Sequence, residues 1–353
     1  MRTVVTAALA VLVAACAPPA PPPLATVHTT AARDGELRIA ALGTCKLESG
    51  AVIEDCRIGY RTYGRLDAAK SNAVLQSTWF SGTTEPLAEA VPDKLVDTKR
   101  FFLVLVEALG SGVSSSPSNS TKQPRLAFPR FTIRDMVETQ RRLLREVLHV
   151  EKLHTVLGIS MGGMQAYEWA VSHPDEVARV IPIAGTPQLT ATDLLFWHSE
   201  LDLLDDSATY AKGEYKGRPA IPALREMHWF ALTTPPHRNA ETSRAAYPAW
   251  RAGIAGNAAF DWNDWHRQLE AMIAHDVAHG GDLASAAKKV KARALVLVAD
   301  RDQMVNPGPS KFFAEAMGEG QATFVSLDTP CGHMFPGCEA TLGSRIKAFM
   351  ERP

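Results

Sequence analysis

The chain predicts an α/β fold, with a mostly parallel sheet, helices on both faces, an antiparallel hairpin at its start and a helical segment inserted late. Three observations predict it. Short apolar runs near residues 72–78, 101–108, 154–158, 178–184, 294–300 and 322–327 alternate with helix-patterned segments, and strands joined through helices pair in parallel. The run Ala294–Ala299 (ALVLVA) is apolar throughout, as a strand covered on both faces must be. Between Pro187 and roughly Val290 the alternation stops and the pattern becomes helical.

The first residues precede the fold. After Arg2 comes an apolar stretch, Val4–Ala15, of signal-peptide length and too short to span a bilayer. Val13, Ala14, Ala15 and Cys16 resemble the bacterial lipobox, in which the cysteine is lipidated and becomes the new N-terminus; an ordinary secretory peptide cut near Ala15 or Ala17 is the alternative. Residues 1–16 therefore read as a lipoprotein signal peptide, and residues 17–35 as a Pro/Ala-rich tether. Ala17–Pro23 (APPAPPP) is a stiff polyproline-type spacer, suited to holding a domain off a membrane. The expected location is the cell envelope, with a membrane as partner through the lipid anchor. The remaining chain divides into a core (36–186), a helical lid (187–290) and the rest of the core (291–353). A net charge of −1 over 353 residues argues against a nucleic-acid partner, which calls for a basic face.

Export makes the other cysteines informative. Cys45, Cys56, Cys331 and Cys338 are an even number, and by counting alone three pairings are open. Cys45 and Cys56 flank a hairpin that turns through Glu48, Ser49 and Gly50, so they can face each other across two strands. Cys331 and Cys338 bracket His333. An oxidising compartment favours disulfides for both pairs, and the spacings form no zinc pattern.

The chemistry centres on one turn. His154, Thr155, Val156 and Leu157 lead into Gly158, Ile159, Ser160, Met161, Gly162 and Gly163, and a helix-like stretch follows to Ser172. Strand, sharp turn carrying a serine, then helix is the nucleophile elbow of an α/β-hydrolase, where small residues on either side of the serine let neighbouring backbone approach. Ser160 is the expected nucleophile, against the alternative of an ordinary Gly/Ser turn. An acid and then a histidine should follow in the chain, each on a loop just past a strand. The run Ala294–Ala299 ends in two candidate acids, Asp300 and Asp302. Spacing from the proline-bearing loop end favours Asp302, leaving Asp300 as a strand-end cap bonding backbone amides. The next run, Ala322–Leu327, leads to His333, preceded by Gly332. The histidines between residues 198 and 279 read as structural members of amphipathic helices.

From Phe128 to Gly185, through the approach Thr132–Val137 (TIRDMV) and the elbow, and again over Lys46–Gly64 and Asn72–Gly82, the chain resembles the homoserine O-acetyltransferase family of α/β-hydrolases. The resemblance runs from about residue 36 to the C-terminus. It places the family's serine on Ser160, its aspartate on Asp302 and its histidine on His333. Its oxyanion-hole strand end falls on Thr78–Gly82, with the backbone amide of Phe80 as one donor and that of Met161 as the other. Two departures point to a hydrolase-like branch: the turn that transferases fill with a cysteine and a Thr-Gly-Pro run is here Leu109–Asn119 (LGSGVSSSPSN), and Met334 stands where an aspartate commonly follows the histidine.

The functional expectation is an exported serine hydrolase that cleaves a small-molecule carboxylic ester or thioester through an acyl-serine, with no cofactor and no metal. The alternatives are an acyltransferase of the homoserine O-acetyltransferase type and a non-catalytic envelope binding protein. Five of the seven tryptophans, Trp197, Trp229, Trp250, Trp262 and Trp265, lie in the lid segment, where they form its own small core or line an acyl pocket. The oligomeric state is open, a homodimer included.

Overall fold

The computed structural model describes residues 33–256 and 260–352; the signal peptide, Cys16 and most of the tether lie outside them. Eight strands form one sheet: β1 (Arg38–Lys46), β2 (Val52–Tyr63), β3 (Ala73–Ser77), β4 (Phe102–Val106), β5 (Thr155–Ile159), β6 (Arg179–Ile183), β7 (Arg293–Ala299) and β8 (Ala322–Leu327). Their spatial order is β1-β2-β4-β3-β5-β6-β7-β8. The first two strands form an antiparallel hairpin and β2 pairs antiparallel with β4; every later pairing is parallel. Burial explains the difference in pattern. Every residue of β3 is buried, whereas β1 alternates and has a wet face. Two register shifts in β1 twist the hairpin, and Cys45 and Cys56 are disulfide-bonded across it with Cα atoms 5.6 Å apart.

Chain direction fixes where a site can form. From β3 the chain runs through α1 (Thr84–Ala90) to β4 on one side, then through α2 (Ile133–Arg142) to β5 on the other, and α3 (Met161–Ser172) leads on towards β6. The carboxyl ends of β3 and β5 therefore flank a topological switch point, the place where open α/β sheets leave a crevice. Helix α2 starts on a capping box between Thr132 and Asp135, and the second oxygen of Asp135 takes the Glu48 amide at 2.8 Å, tying the helix to the hairpin turn.

Between β6 and β7 the chain is helical: α4 (Ala191–Asp205), α5 (Pro222–Leu232), α6 (Pro235–Glu241), α7 (Tyr247–Gly256), α8 (Trp262–Ile273) and α9 (Leu283–Ala287). Polar ties dock this insertion at both its first helix and α8. Asp193, in the capping box of α4, accepts from the Asn306 amide at 2.9 Å, and Arg267 of α8 donates to the carbonyls of Phe128 at 2.9 Å and Leu126 at 2.6 Å. Helix α10 (Gly308–Ala316) follows β7, and α11 (Phe335–Cys338) and α12 (Leu342–Glu351) follow β8.

Candidate active site

Ser160 joins β5 to α3 at φ 59°, ψ −122°, a conformation that strains any residue with a Cβ. What its neighbours lack makes the turn possible. A Cβ on Gly158 would lie 2.1 Å from the Gly162 carbonyl oxygen, one on Gly162 2.8 Å from the Ser77 carbonyl oxygen, and one on Gly163 3.0 Å from Gly185 Cα. The Ser160 amide donates to the Ile183 carbonyl at 2.8 Å, pinning the elbow to β6.

The serine hydroxyl meets an imidazole. His333 Nε2 lies 2.9 Å from Ser160 Oγ, and His333 Nδ1 lies 2.7 Å from Asp302 Oδ2. The other carboxylate oxygen, Oδ1, accepts the amides of Met304 and Val305 at 2.9 Å each. Those two donors decide which oxygen faces the ring. With an acceptor at Nδ1, a neutral imidazole carries its proton there and leaves Nε2 free to accept the serine proton. Asp302 and His333 are almost wholly buried. Asp300 is exposed and makes no contact with the imidazole; its carboxylate accepts from the Ser326 hydroxyl on the neighbouring strand, rather than from backbone amides as expected of a strand-end cap. Gly332 takes φ 59°, which turns the loop after β8 back towards the serine. Cys331 and Cys338 are disulfide-bonded around that loop, and the Thr234 hydroxyl of the insertion donates to the Pro330 carbonyl beside it.

Two amides stand at neighbouring strand ends: Met161 follows Ser160 as the first residue of α3, and Phe80, which lines the same cavity as Ser160, lies in the turn after β3. Neither N–H makes a hydrogen bond among the described residues.

The model of the alpha/beta hydrolase fold family matches residues 77–336, which hold the serine, the aspartate and the histidine. This chain belongs to that family. Among relatives of this α/β-hydrolase, a probable esterase of Corynebacterium glutamicum is 33% identical over 77% of this chain and 83% of its own. An ethyl acetate hydrolase of Pseudomonas veronii is 31% identical over 78% and 83%, and a homoserine O-acetyltransferase of Acidiphilium cryptum 29% identical over 81% and 87%. Of solved structures, an acetylester hydrolase from Corynebacterium glutamicum superposes with a TM-score of 0.82 at 26% identity, over 90% of this chain and 95% of that one. Homologues of this chain thus carry out both hydrolysis and acyl transfer on this fold.

The hydrolase's serine opens onto a cavity of about 490 Å³ walled by Trp79, Phe80, Ile159, Trp197, Trp229 and Leu232, with Ser81, Arg225 and His228 among its polar members besides Ser160 and His333. The tryptophans of the insertion therefore divide their work. Trp197 and Trp229 line the cavity, while Trp262 and Trp265 are buried behind it, with Trp265 edge-on to Phe80 at 4.5 Å between centroids. His228 is paired with the buried Glu200 at 3.0 Å, so a histidine read from its helix as structural also lines the cavity. Two buried carboxyls brace the surrounding loops. Burial raises Glu107 above the usual carboxylate range, although the Thr84 amide and hydroxyl donate to it at 2.8 and 2.7 Å. Burial likewise pushes Asp264 up to about 7, against bonds from the Ser118 amide and hydroxyl. Sequence reasoning missed His228, Glu200, Gln165 and Gln268, because an isolated polar residue in a helix pattern carries no mark of what it will face.

Proposed function

We propose that this protein is a serine esterase that hydrolyses short-chain carboxylic esters, with Ser160, His333 and Asp302 as its catalytic triad. One observation carries the reading: a serine held in an elbow, hydrogen-bonded at 2.9 Å to an imidazole that is itself bonded at 2.7 Å to a buried carboxylate, at the mouth of an apolar cavity. Ser160 Oγ attacks the ester carbonyl while His333 Nε2 takes its proton; Asp302 holds the tautomer and stabilises the imidazolium. The amides of Phe80 and Met161 receive the oxyanion, a contribution of about 3 to 4 kcal/mol per donor in related chemistry. Collapse expels the alcohol, which leaves with the proton from His333. Water then attacks the acyl-serine, with His333 as base, and releases the acid.

Water rather than an alcohol is the acceptor in this reading. The esterase relatives are the more similar over comparable lengths, and the Leu109–Asn119 turn lacks the transferase pattern. The lipobox at Cys16 adds to this, since export would remove the chain from the acetyl-CoA made in the cytosol. An acyltransferase shares the serine intermediate and is supported by the homoserine O-acetyltransferases among the relatives. A fluorophosphonate probe should label Ser160 in the wild type and not in Ser160→Ala; absence of label makes the protein a binding scaffold. Acetyl-CoA with homoserine in one tube and p-nitrophenyl acetate alone in another separate the two enzymes. O-acetylhomoserine formed faster than ester is hydrolysed overturns the esterase reading. Radiolabelled palmitate incorporated into the wild type but not Cys16→Ser tests the anchor.

A further inference from the structure

The peptide that presents the Phe80 amide is gripped on both sides by buried glutamines. On one side Gln165 Nε2 donates to the Thr78 carbonyl at 3.2 Å and to the Met161 carbonyl at 3.1 Å. On the other, the Ser81 amide donates to Gln268 Oε1 at 2.9 Å, and Gln268 Nε2 donates to the Leu109 carbonyl at 3.0 Å. Both side chains are wholly buried. Gln165 stands one turn into α3; Gln268 arrives from α8 of the insertion, 187 residues from Ser81 along the chain.

The carbonyls held by Gln165 belong to the peptides adjoining the two oxyanion donors. The Thr78 carbonyl lies one peptide before the Phe80 N–H, and the Met161 carbonyl one peptide after the Met161 N–H. A single carboxamide thus spans both halves of the hole. Its orientation is imposed from outside. Trp169 Nε1, which can only donate, donates to Gln140 Oε1 at 2.8 Å; the Gln140 amide nitrogen must then donate to Gln165 Oε1, at 2.5 Å, and the Gln165 nitrogen is left for the two carbonyls. A flipped Gln165 would set its oxygen against two others. Ser81 adds a reason for the second grip, since it has a φ of 58°, a conformation that is costly for a residue with a Cβ and persists only where surroundings hold it.

We infer that Gln165 and Gln268 are positioning residues that set the spacing and aim of the oxyanion amides, so that the helical insertion, through Gln268, takes part in the chemistry besides walling the cavity. The inference rests on the esterase reading above. Its test is Gln165→Met and Gln268→Met, which keep volume and remove the hydrogen bonds, assayed on the purified protein with p-nitrophenyl acetate and with a boronic acid, whose tetrahedral adduct on Ser160 places an oxygen in the hole. Each variant is expected to lose on the order of 10- to 100-fold in kcat per fluorophosphonate-titrated site, to keep KM within about threefold, and to weaken boronate inhibition in the same proportion. Where a Met variant does not fold, Gln165→Asn or Gln268→Asn, too short by one methylene to reach both partners, takes its place with the same expectation. Unchanged kcat per titrated site and unchanged boronate affinity, with only a lower melting temperature, overturn the inference. Failure of the esterase reading shows separately, as wild-type protein that neither takes the probe nor hydrolyses the ester, and overturns both.

Discussion

Replacing Asp302 with asparagine tests the logic of the site, because the structure dictates how the new side chain must sit. Asp302 Oδ1 accepts from two backbone amides, those of Met304 and Val305, at 2.9 Å each. An asparagine there must keep its carbonyl oxygen towards those donors, since its amino group would otherwise face two N–H groups. The amino group then occupies the place of Oδ2, 2.7 Å from His333 Nδ1, and donates to it. Nδ1 becomes an acceptor, the ring proton moves to Nε2, and Nε2 can no longer take the Ser160 proton. A tautomer reversal of this kind costs about 10⁴-fold in kcat, or about 5 kcal/mol of barrier, with binding little changed. Asp300→Asn leaves an exposed carboxylate's contact to Ser326 altered and nothing at the imidazole, so its rate should stay within about twofold. Initial rates on p-nitrophenyl acetate, with thermal melts to verify folding, give both numbers. An Asp302→Asn enzyme within tenfold of wild type, or the two asparagine variants ranking the other way, refutes the reasoning.

The two disulfides should separate by function. Closing loops of this size stabilises by about 2–3 kcal/mol each, so both double Cys→Ala variants should melt lower, but only loss of Cys331–Cys338, which frames His333, should also lower kcat severalfold at temperatures where the protein is folded. Gly158→Ala puts a Cβ 2.1 Å from the Gly162 carbonyl oxygen; backbone cannot yield as a side chain would, and soluble folded protein should be lost, as seen by circular dichroism and gel filtration. Asp264 has its carboxyl raised from 3.8 to about 7 by burial. A raised acid contributes stability fully present below its unfolded value and lost as pH climbs through the folded one, a swing of up to about 4 kcal/mol at 1.36 kcal/mol per unit. Asp264→Asn cannot ionise, so the stability of wild type minus variant, from urea unfolding, should fall between about pH 4 and pH 7; a difference that stays flat or rises contradicts the assignment.

Strands β3 to β8 were legible because each is a short, mostly apolar run set between helix-patterned segments, and the elbow because glycines at 158, 162 and 163 have no other reason to surround a serine between a strand and a helix. Asp302 and His333 could be ranked by position, but the choice between Asp300 and Asp302 is made by the Met304 and Val305 amides, which a sequence does not display. Helical periodicity tells which face of α5 or α8 is covered and says nothing of what covers it. His228 therefore read as structural and Gln268 was invisible, for their roles depend on a long-range docking of the insertion over the sheet. The Leu109–Asn119 turn could be seen to be unusual, yet its bond to Gln268 comes from a helix far along the chain.

The insertion leaves the sheet at β6 and returns at the adjacent β7, so the sheet's register is indifferent to its length. Lengthening such a loop is cheap, about 0.6 kcal/mol for each doubling. A lineage, or an engineer, can therefore redesign much of the roof over Ser160, trading one diet of substrates for another, while the nucleophile, acid and base stay on strand ends outside it. Helix α8 limits that licence most, beside the ties of Asp193 to the Asn306 amide and of Thr234 to the Pro330 carbonyl. Turning it by a single residue, about 100°, would swing Arg267 off the Phe128 and Leu126 carbonyls and Gln268 off Ser81 together. Grafted roofs should fail when they do not preserve the phase of that helix.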